Sequence, residues 1–387
     1  MSRLFQLQEN CLRLMGHNLH SFGVQGSSSL SLKHIASLLF VLSAEYPMLS
    51  YVIYHRDDME LITACLSVAF TNLVTVTKIW TFLLYKQNFW QMMQRFRQLD
   101  LKCESQFINR HLACNGYLAR ANKLAASLGR AYCISCGFTG IYFMLGPIIK
   151  IITSSWRGVP YARELPMPMK FPFNDVDSPG YEFGFIYTLF VTIVVVLYAS
   201  AVDGLFISFA INLRAHFQAL QQDIRELNFD QAEQLVQRQL VEVVDYHVLL
   251  LDLCRRLRRI YTPIVFGQFF ITSLEVGVII YQIVTHMDSI MALLVYFSFF
   301  CSIMLQLFMY CYGGEIIKVE SLQVGVAIQT SNWHLALPKQ RRSLVFMMHR
   351  SQREMLIKAG FYEASLANFL AICRAALSFI TLIQSIE

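Results

Sequence analysis

Residues that could carry out chemistry are few and scattered in this sequence. Cys133 and Cys136 form a Cys-x-x-Cys pair, a spacing found in redox-active thiols and in zinc sites. The pair begins a long apolar stretch, so core packing is the favoured interpretation. None of the ten histidines pairs with a cysteine or carboxylate at metal-ligand spacing, and no nucleophile-elbow, HExxH or phosphate-binding motif occurs. The sequence therefore supports neither an enzyme nor a metal or cofactor site.

Five ionisable residues stand inside otherwise apolar stretches: Glu45, Lys78, Asp203, Glu275 and Arg374. Such residues are costly in a membrane and usually face the protein interior or water. Lys78 and Asp203 lie near the inner ends of their segments, so we expect Lys78 to snorkel and Asp203 to reach the headgroups. Arg374 stands in the middle of its segment, which indicates a water-filled path or an ion pair there.

Composition places these residues in a membrane protein. The 387-residue chain is 55% hydrophobic and only 15% charged, whereas soluble domains average about 25% charged residues. A membrane-crossing helix needs about 20 mainly apolar residues, and seven segments reach this length. They are 35–54, 61–85, 131–152, 183–213, 260–285, 287–312 and, interrupted by Arg374, 364–386. The fold class predicted is an all-α membrane protein with seven transmembrane helices.

The distribution of basic residues predicts the orientation. Of the 32 Lys and Arg residues, 25 fall in the N-terminal tail and the loops after spans two, four and six. Only 4 fall on the opposite side, and 3 lie within spans. Because basic residues are retained in the cytosol, we expect a cytosolic N-terminus and an extracellular C-terminus. The first 34 residues lack an apolar run with a cleavage site, so the first span is expected to remain in the mature protein.

The inner loops carry helical patterns of their own. Apolar residues recur at helical spacing across 214–259, which predicts that spans four and five extend as a helical hairpin. Residues 314–333 and 340–359 show similar patterns, and we expect a packed intracellular bundle that could form a subunit interface. The predicted organisation is a cytosolic tail (1–34), spans one to six with their extensions (35–312), a cytosolic anchor segment (313–362) and the last span (363–387).

A cytosolic N-terminus is the reverse of the G-protein-coupled receptor arrangement. The Pro-Phe-Asn and Ser-Pro-Gly-Tyr sequences before span four and the ordered motifs between Ser331 and Leu382 instead resemble the insect odorant receptor family. The outer loop 164–182 contains Pro-Phe-Asn and Ser-Pro-Gly-Tyr, similar to that family's loop before span four. The C-terminal third contains Ser331-Asn-Trp, the basic helix 341–353, Ala359-Gly-Phe and Ser378-Phe-Ile-Thr-Leu. Family members often have a basic residue where Arg374 stands. The whole chain thus resembles a tuning receptor of this family.

The resemblance implies a subunit of a tetrameric, ligand-gated, non-selective cation channel. Such a subunit would bind a small volatile odorant and assemble with the shared olfactory co-receptor, Orco, in the dendritic plasma membrane of olfactory neurons. Membrane lipids are the other expected partners; no cofactor, metal or nucleic acid is implied. The last span would line the pore, with the gate at Leu382 and Ile386 and weaker pore-lining candidates at Gln384 and Ser385.

The family's odorant pocket lies among the outer halves of spans two, three, four and six. The matching positions here are Val68, Thr71, Asn72, Phe143, Met144, Gly146, Tyr187, Phe190, Val191, Tyr296, Phe299 and Phe300. Aromatic and methionine side chains suit apolar volatiles, which bind by shape and dispersion.

Two alternatives stay open at this point. Gustatory receptors have a final-span motif that is only partly matched by Ser378-Phe379 and Gln384-Ser385. A metabotropic seven-helix receptor or a transporter would also have many spans and no catalytic motif.

Overall fold

The computed structural model describes residues 4–17, 32–106, 112–158, 163–287 and 289–386. Within these ranges, the side chains of 32–34, 102–106, 112–115, 157, 291, 380 and 382–386 are not described. The helices are α1 (Gln6–Leu14), α2 (Leu32–Ser43), α3 (Glu45–Tyr54), α4 (Met59–Gln106), α5 (Leu112–Arg157), α6 (Gly180–Arg225), α7 (Glu233–Thr285), α8 (Ile290–Gln329), α9 (Pro338–Ser351) and α10 (Leu366–Ile386). A short 3-10 helix (Trp333–Leu335) and a two-stranded hairpin of β1 (Lys358–Ala359) and β2 (Tyr362–Glu363) complete the described part.

Six stretches of the described chain are long and apolar enough to cross a membrane, and each contains or overlaps one of the first six predicted spans. The seventh predicted span corresponds to α10, a helix of 21 residues whose described apolar stretch is Leu366–Phe379. The predicted all-α, seven-helix architecture is therefore confirmed. Span one consists of two helices, α2 and α3, which are separated at Ala44. Pro47 stands in the first turn of α3, where its missing N–H costs no helical hydrogen bond.

Helices α4 to α8 continue well beyond the apolar spans. Tyr85, at the end of predicted span two, has non-helical angles (φ −109°, ψ 17°), and α4 bends there before continuing to Gln106. The predicted hairpin after span four is confirmed, since α6 ends at Arg225 and α7 begins at Glu233. We call the half of the molecule that contains this hairpin and α1 the inner half.

The anchor segment after α8 departs from the prediction of a helix over 340–359. Helix α9 ends at Ser351, and the chain then turns through a hairpin at Gly360, which has a φ of +61°. Glycine adopts this left-handed conformation without steric cost. The apolar residues after α9, Met355 and Ile357, are buried, and the Met355 N–H donates to the Ser321 hydroxyl at 3.1 Å. Apolar spacing alone did not reveal that these residues pack as an extended segment.

Helix α6 forms the centre of the inner half. Every residue from Tyr198 to Leu213 is buried, because α5, α7, α8, α4 and α1 pack around this helix. A helix that is apolar on all sides is expected in such a central position. Helix α8 also approaches the start of α10 very closely. A Cβ on Gly314 would lie 2.0 Å from the Ala364 carbonyl oxygen, so only glycine fits at this crossing.

Candidate functional site

A cavity lies among the spans, bounded by α3, α4, α5, α6, α7, α8 and the outer loop before α6. It leaves about 100 Å³ of room for the centre of a water-sized sphere. One water needs roughly 10–15 Å³ by this measure, so the cavity has room for a small organic molecule. Its lining residues are Met48, Val68, Thr71, Asn72, Val74, Thr75, Lys78, Tyr132, Cys136, Thr139, Gly140, Phe143, Met167, Val191, Thr192, Val195, Val196, Ala199, Glu275, Phe299, Ser302, Ile303 and Gln306.

The structure brings six of the twelve predicted pocket residues to this cavity: Val68, Thr71, Asn72, Phe143, Val191 and Phe299. The other six lie elsewhere. Met144 is buried in a neighbouring apolar cluster with Met48 and Cys65. Tyr187 bonds the Ser43 hydroxyl at 2.7 Å, and Phe190 is 54% exposed on the outer face of α6. Gly146 and Tyr296 are partly buried away from the cavity, with the Tyr296 ring 5.3 Å from that of His286. Phe300 packs beside, not into, the cavity wall.

The outer end of the cavity is apolar. The rings of Phe143 and Phe299 meet edge to face, with centroids 5.7 Å apart and an interplanar angle of 87°. Met167 reaches this end from the outer loop. The loop is fixed in place because the Lys170 N–H donates to the Pro47 carbonyl oxygen at 2.9 Å and the Lys170 ammonium lies 3.1 Å from Asp175 Oδ1. Sequence reasoning missed Met167, since the loop was recognised by its motif and not placed over a pocket.

The opposite end of the cavity is polar, which the prediction of an aromatic and methionine pocket did not include. Ser302 of α8 bonds Ser135 at 2.6 Å and Thr139 at 3.0 Å, both on α5. Lys78, Tyr132 and Gln306 also line this end. The available signal was the set of charged residues inside the spans, but it did not indicate that two of them, Lys78 and Glu275, line one cavity.

The expectations for Lys78 and Asp203 are wrong. Neither residue reaches the headgroups: Lys78 is fully buried, Asp203 is 1% exposed, and Lys78 Nζ lies 2.8 Å from Asp203 Oδ2. A buried charge is tolerated when a partner of opposite sign and further hydrogen bonds satisfy it. These two residues, 125 positions apart in the chain, satisfy each other, so neither needs the interface.

The other two acidic residues of the spans, Glu275 and Glu45, also have partners. Glu275 of α7 is buried and accepts a hydrogen bond from the Thr71 hydroxyl of α4. Glu45 Oε1 accepts a bond of 2.9 Å from the Asn72 amide. Arg374 differs, because it is exposed on α10. An arginine in this position requires water or a further chain beside it in the membrane.

Helix α10 is joined to the cavity by a shared apolar cluster. Ala376 of α10 packs with Val276 of α7 and with Phe299 and Ile303 of α8. Phe299 and Ile303 also line the cavity. The predicted gate and pore residues, Leu382, Gln384, Ser385 and Ile386, belong to the last two turns of α10, and their side chains lie outside the described part of the chain.

The Cys133–Cys136 pair shows no disulfide, since both are free cysteines; Cys133 is partly buried and Cys136 lines the cavity. Among the described residues, no group of three or more His, Cys, Asp or Glu side chains could hold a metal ion.

Two kinds of comparison show the family, and a third shows the fold. The family model for the seven-transmembrane odorant receptors matches residues 58–377. The chain is 64% identical to Odorant receptor 82a of Drosophila melanogaster and 27% identical to Odorant receptor 47a of the same species, over the full length of each chain. The olfactory receptor OR5 of Machilis hrabei, solved in complex with eugenol, has a similar fold, with a TM-score of 0.75 and 17% identity over 99% of this chain and 98% of that one. This multi-pass membrane protein belongs to the insect odorant receptor family.

Proposed function

We propose that the protein is the odorant-binding subunit of a ligand-gated, non-selective cation channel. It assembles with the olfactory co-receptor in a heterotetramer, in the dendritic plasma membrane of olfactory sensory neurons. The observation that carries this proposal is the apolar cluster in which Ala376 of α10 meets Phe299 and Ile303 of the cavity wall. A molecule that displaces these two side chains would disturb the apolar cluster to which α10 contributes Ala376.

The cavity suits a small volatile molecule. Its outer end offers the faces and edges of Phe143 and Phe299 together with two methionines, which bind by dispersion. Val68, Thr71, Asn72 and Val191 complete the predicted set that reaches it. Bound here, an odorant would be held mainly by shape, with a few polar contacts that fix its orientation.

We further propose that α10 lines the pore and that Leu382 and Ile386 form the gate. The two positions are four residues apart in a helix, and therefore lie on one face, one turn apart. A ring of apolar side chains closes a pore by excluding water and opens it by widening. Gln384 and Ser385 would then be pore-lining neighbours.

The proposed membrane orientation has a cytosolic N-terminus. This places the tail (1–34), the hairpin within 214–259 and the anchor segment (313–362) in the cytosol, where 25 of the 32 basic residues would lie. An inserted glycosylation acceptor tests this directly. We expect no modification of an acceptor at the N-terminus and modification of one in the outer loop 164–182; the reverse pattern would refute the channel arrangement.

The function itself is tested by co-expressing the chain with the olfactory co-receptor and recording currents. The probes are eugenol and a panel of straight-chain alcohols, aldehydes and esters. We expect cation currents evoked by at least one compound, retained in patches excised into nucleotide-free solution. A complex that reaches the surface but stays silent to the whole panel contradicts the proposal. Currents lost on excision would favour the metabotropic alternative.

The gustatory alternative has no comparable support. The matching family model is that of odorant receptors and covers residues 58–377, and the gustatory motif in the last span is only partly present at Ser378-Phe379 and Gln384-Ser385.

A further inference from the structure

A single carboxylate joins four helices beneath the cavity. Asp203 of α6 accepts hydrogen bonds at Oδ2 from Lys78 of α4 at 2.8 Å, Tyr132 of α5 at 2.8 Å and Gln306 of α8 at 2.6 Å. Its second oxygen, Oδ1, accepts a bond of 2.5 Å from the hydroxyl of Tyr310, also on α8. We call Asp203 and these four donors the Asp203 network.

The donors divide into two groups by their position. Three of the four donors, Lys78, Tyr132 and Gln306, line the cavity. The fourth donor, Tyr310, does not, and neither does the acceptor Asp203. Asp203 therefore lies one layer below the cavity wall and holds three wall residues without touching the cavity itself. Tyr310 follows Gln306 by one helical turn, on the side away from the cavity.

The donors cannot move independently of one another. Lys78 and Asp203 are fully buried, and separating them would leave two uncompensated charges in a low-dielectric interior. Any displacement of Lys78 or Gln306 by a molecule in the cavity must therefore redistribute the bonds to Asp203. Because Tyr310 holds the second oxygen, the same displacement acts on α8 one turn further inward.

Helix α8 also carries the contact with α10. Ile303 stands one turn before Gln306, and Tyr310 stands one turn after it. One stretch of α8 therefore contributes to the cavity wall, to the Asp203 network and to the apolar cluster that contains Ala376.

We propose that Asp203 is a positioning residue that couples occupancy of the cavity to the movement of α8. This inference rests on the proposed function, since coupling has meaning only if a molecule in the cavity opens a channel. The competing explanation is a purely structural tie between helices, which would affect folding and surface delivery but not the odorant concentration that gives half-maximal current.

Substitutions of three tyrosines distinguish the coupling role from the purely structural role. Y132F removes a donor that lines the cavity, and Y310F removes a donor that does not. Y261F is the matched control: Tyr261 is equally buried and its ring lies 6.5 Å from that of Tyr310, but its hydroxyl donates to the Val202 carbonyl oxygen at 2.9 Å. Each variant deletes one hydroxyl and keeps the ring.

The experiment records dose–response curves from the complex with the co-receptor, using the most active single compound of the alcohol, aldehyde and ester panel. Surface expression is measured in parallel by labelling an extracellular C-terminal tag. We expect Y310F and Y132F to raise the half-maximal concentration by about tenfold, equivalent to about 1.4 kcal/mol, at normal surface expression. Y261F should change it by less than about twofold, because its hydroxyl donates to a backbone carbonyl and not to Asp203.

A second variant tests whether Tyr310 acts through the carboxylate. K78M and D203L together remove both charges and the oxygen to which Tyr310 donates, so no charge is left unpaired. In this background Y310F should add less than about twofold, because residues of one network are not additive. The proposal is overturned if Y310F behaves like Y261F, or if its effect is equally large in both backgrounds. A silent wild-type complex would instead reject the proposed function, and with it this coupling.

Discussion

The Thr71 hydroxyl of α4 donates a hydrogen bond to the buried Glu275 carboxylate of α7, and both side chains line the cavity. The bond spans 204 positions of sequence and ties the two helices together inside the membrane. A carboxylate in such surroundings depends on each donor that it has.

Replacing Thr71 tests that dependence. T71V keeps the shape but removes the donor, which costs about 1–3 kcal/mol when a buried acceptor is left without it. We expect a lower thermal unfolding temperature of the detergent-solubilised protein for T71V. T71S retains a hydroxyl and is the control, expected to unfold near the wild-type temperature. Equal temperatures for T71V and wild type would show that Glu275 does not rely on this bond.

Phe299 and Phe300 provide a comparison between adjacent residues of α8. Phe299 lines the cavity and meets the Phe143 ring, whereas Phe300 packs beside the wall. We expect F299L to change the relative potency of long and short members of an odorant series by about tenfold, because it alters the shape of the binding volume. F300L should leave the order of potency unchanged. Identical shifts in both variants would argue against the assignment of Phe299 to the site.

The gate position can be tested without an odorant. We expect L382S to increase the basal current of the complex with the co-receptor, because a polar ring no longer excludes water from a narrow pore. L382V keeps the position apolar and should retain a low basal current. We expect the same two results for I386S and I386V, one helical turn away. If L382S leaves both the basal and the odorant-evoked currents unchanged at normal surface expression, the gate is elsewhere.

Because His247 is buried, we expect the stability of the inner half to depend on pH. Burial, with a smaller contribution from Arg350, lowers the pKa of His247 from 6.5 to about 4. The unfolded chain therefore binds a proton below about pH 6.5 that the folded chain refuses until about pH 4, so stability falls as pH falls through this window. A shift of this size corresponds to about 3 kcal/mol.

The measurement is the unfolding temperature of the solubilised protein between pH 7.5 and pH 4.5. H247Q should flatten the profile in this range, whereas H349Q, at an exposed site on α9, should not. A wild-type profile that is already flat would contradict the prediction.

The spans were predictable because the signal is local. Each needs only a run of apolar residues, and the bilayer imposes this on any sequence that crosses it. Residues 35–54 and 183–213 were recognised in this way, as was the hairpin after span four. The segment after α9 was not, because Met355 and Ile357 are apolar in any conformation and the turn depends on one glycine, Gly360.

The pocket was predictable only in part. Position along the spans selected Val68, Thr71, Asn72, Phe143, Val191 and Phe299, which reach the cavity. It also selected Phe190 and Tyr187, which do not, because depth in the membrane gives no information on which side of a helix faces inward. That choice depends on the packing of seven helices against one another.

The sequence alone determined that this protein crosses the membrane, how many helices do so and which family it resembles, since apolar length and ordered motifs are properties of the linear chain. Only the tertiary structure decided that Lys78 belongs with Asp203 and Thr71 with Glu275. The physical reason is that a charge in the membrane can be satisfied by the headgroups, by water or by a distant residue, and the sequence does not distinguish among these. Helix packing makes the choice, by bringing residues 125 and 204 positions apart within hydrogen-bonding distance.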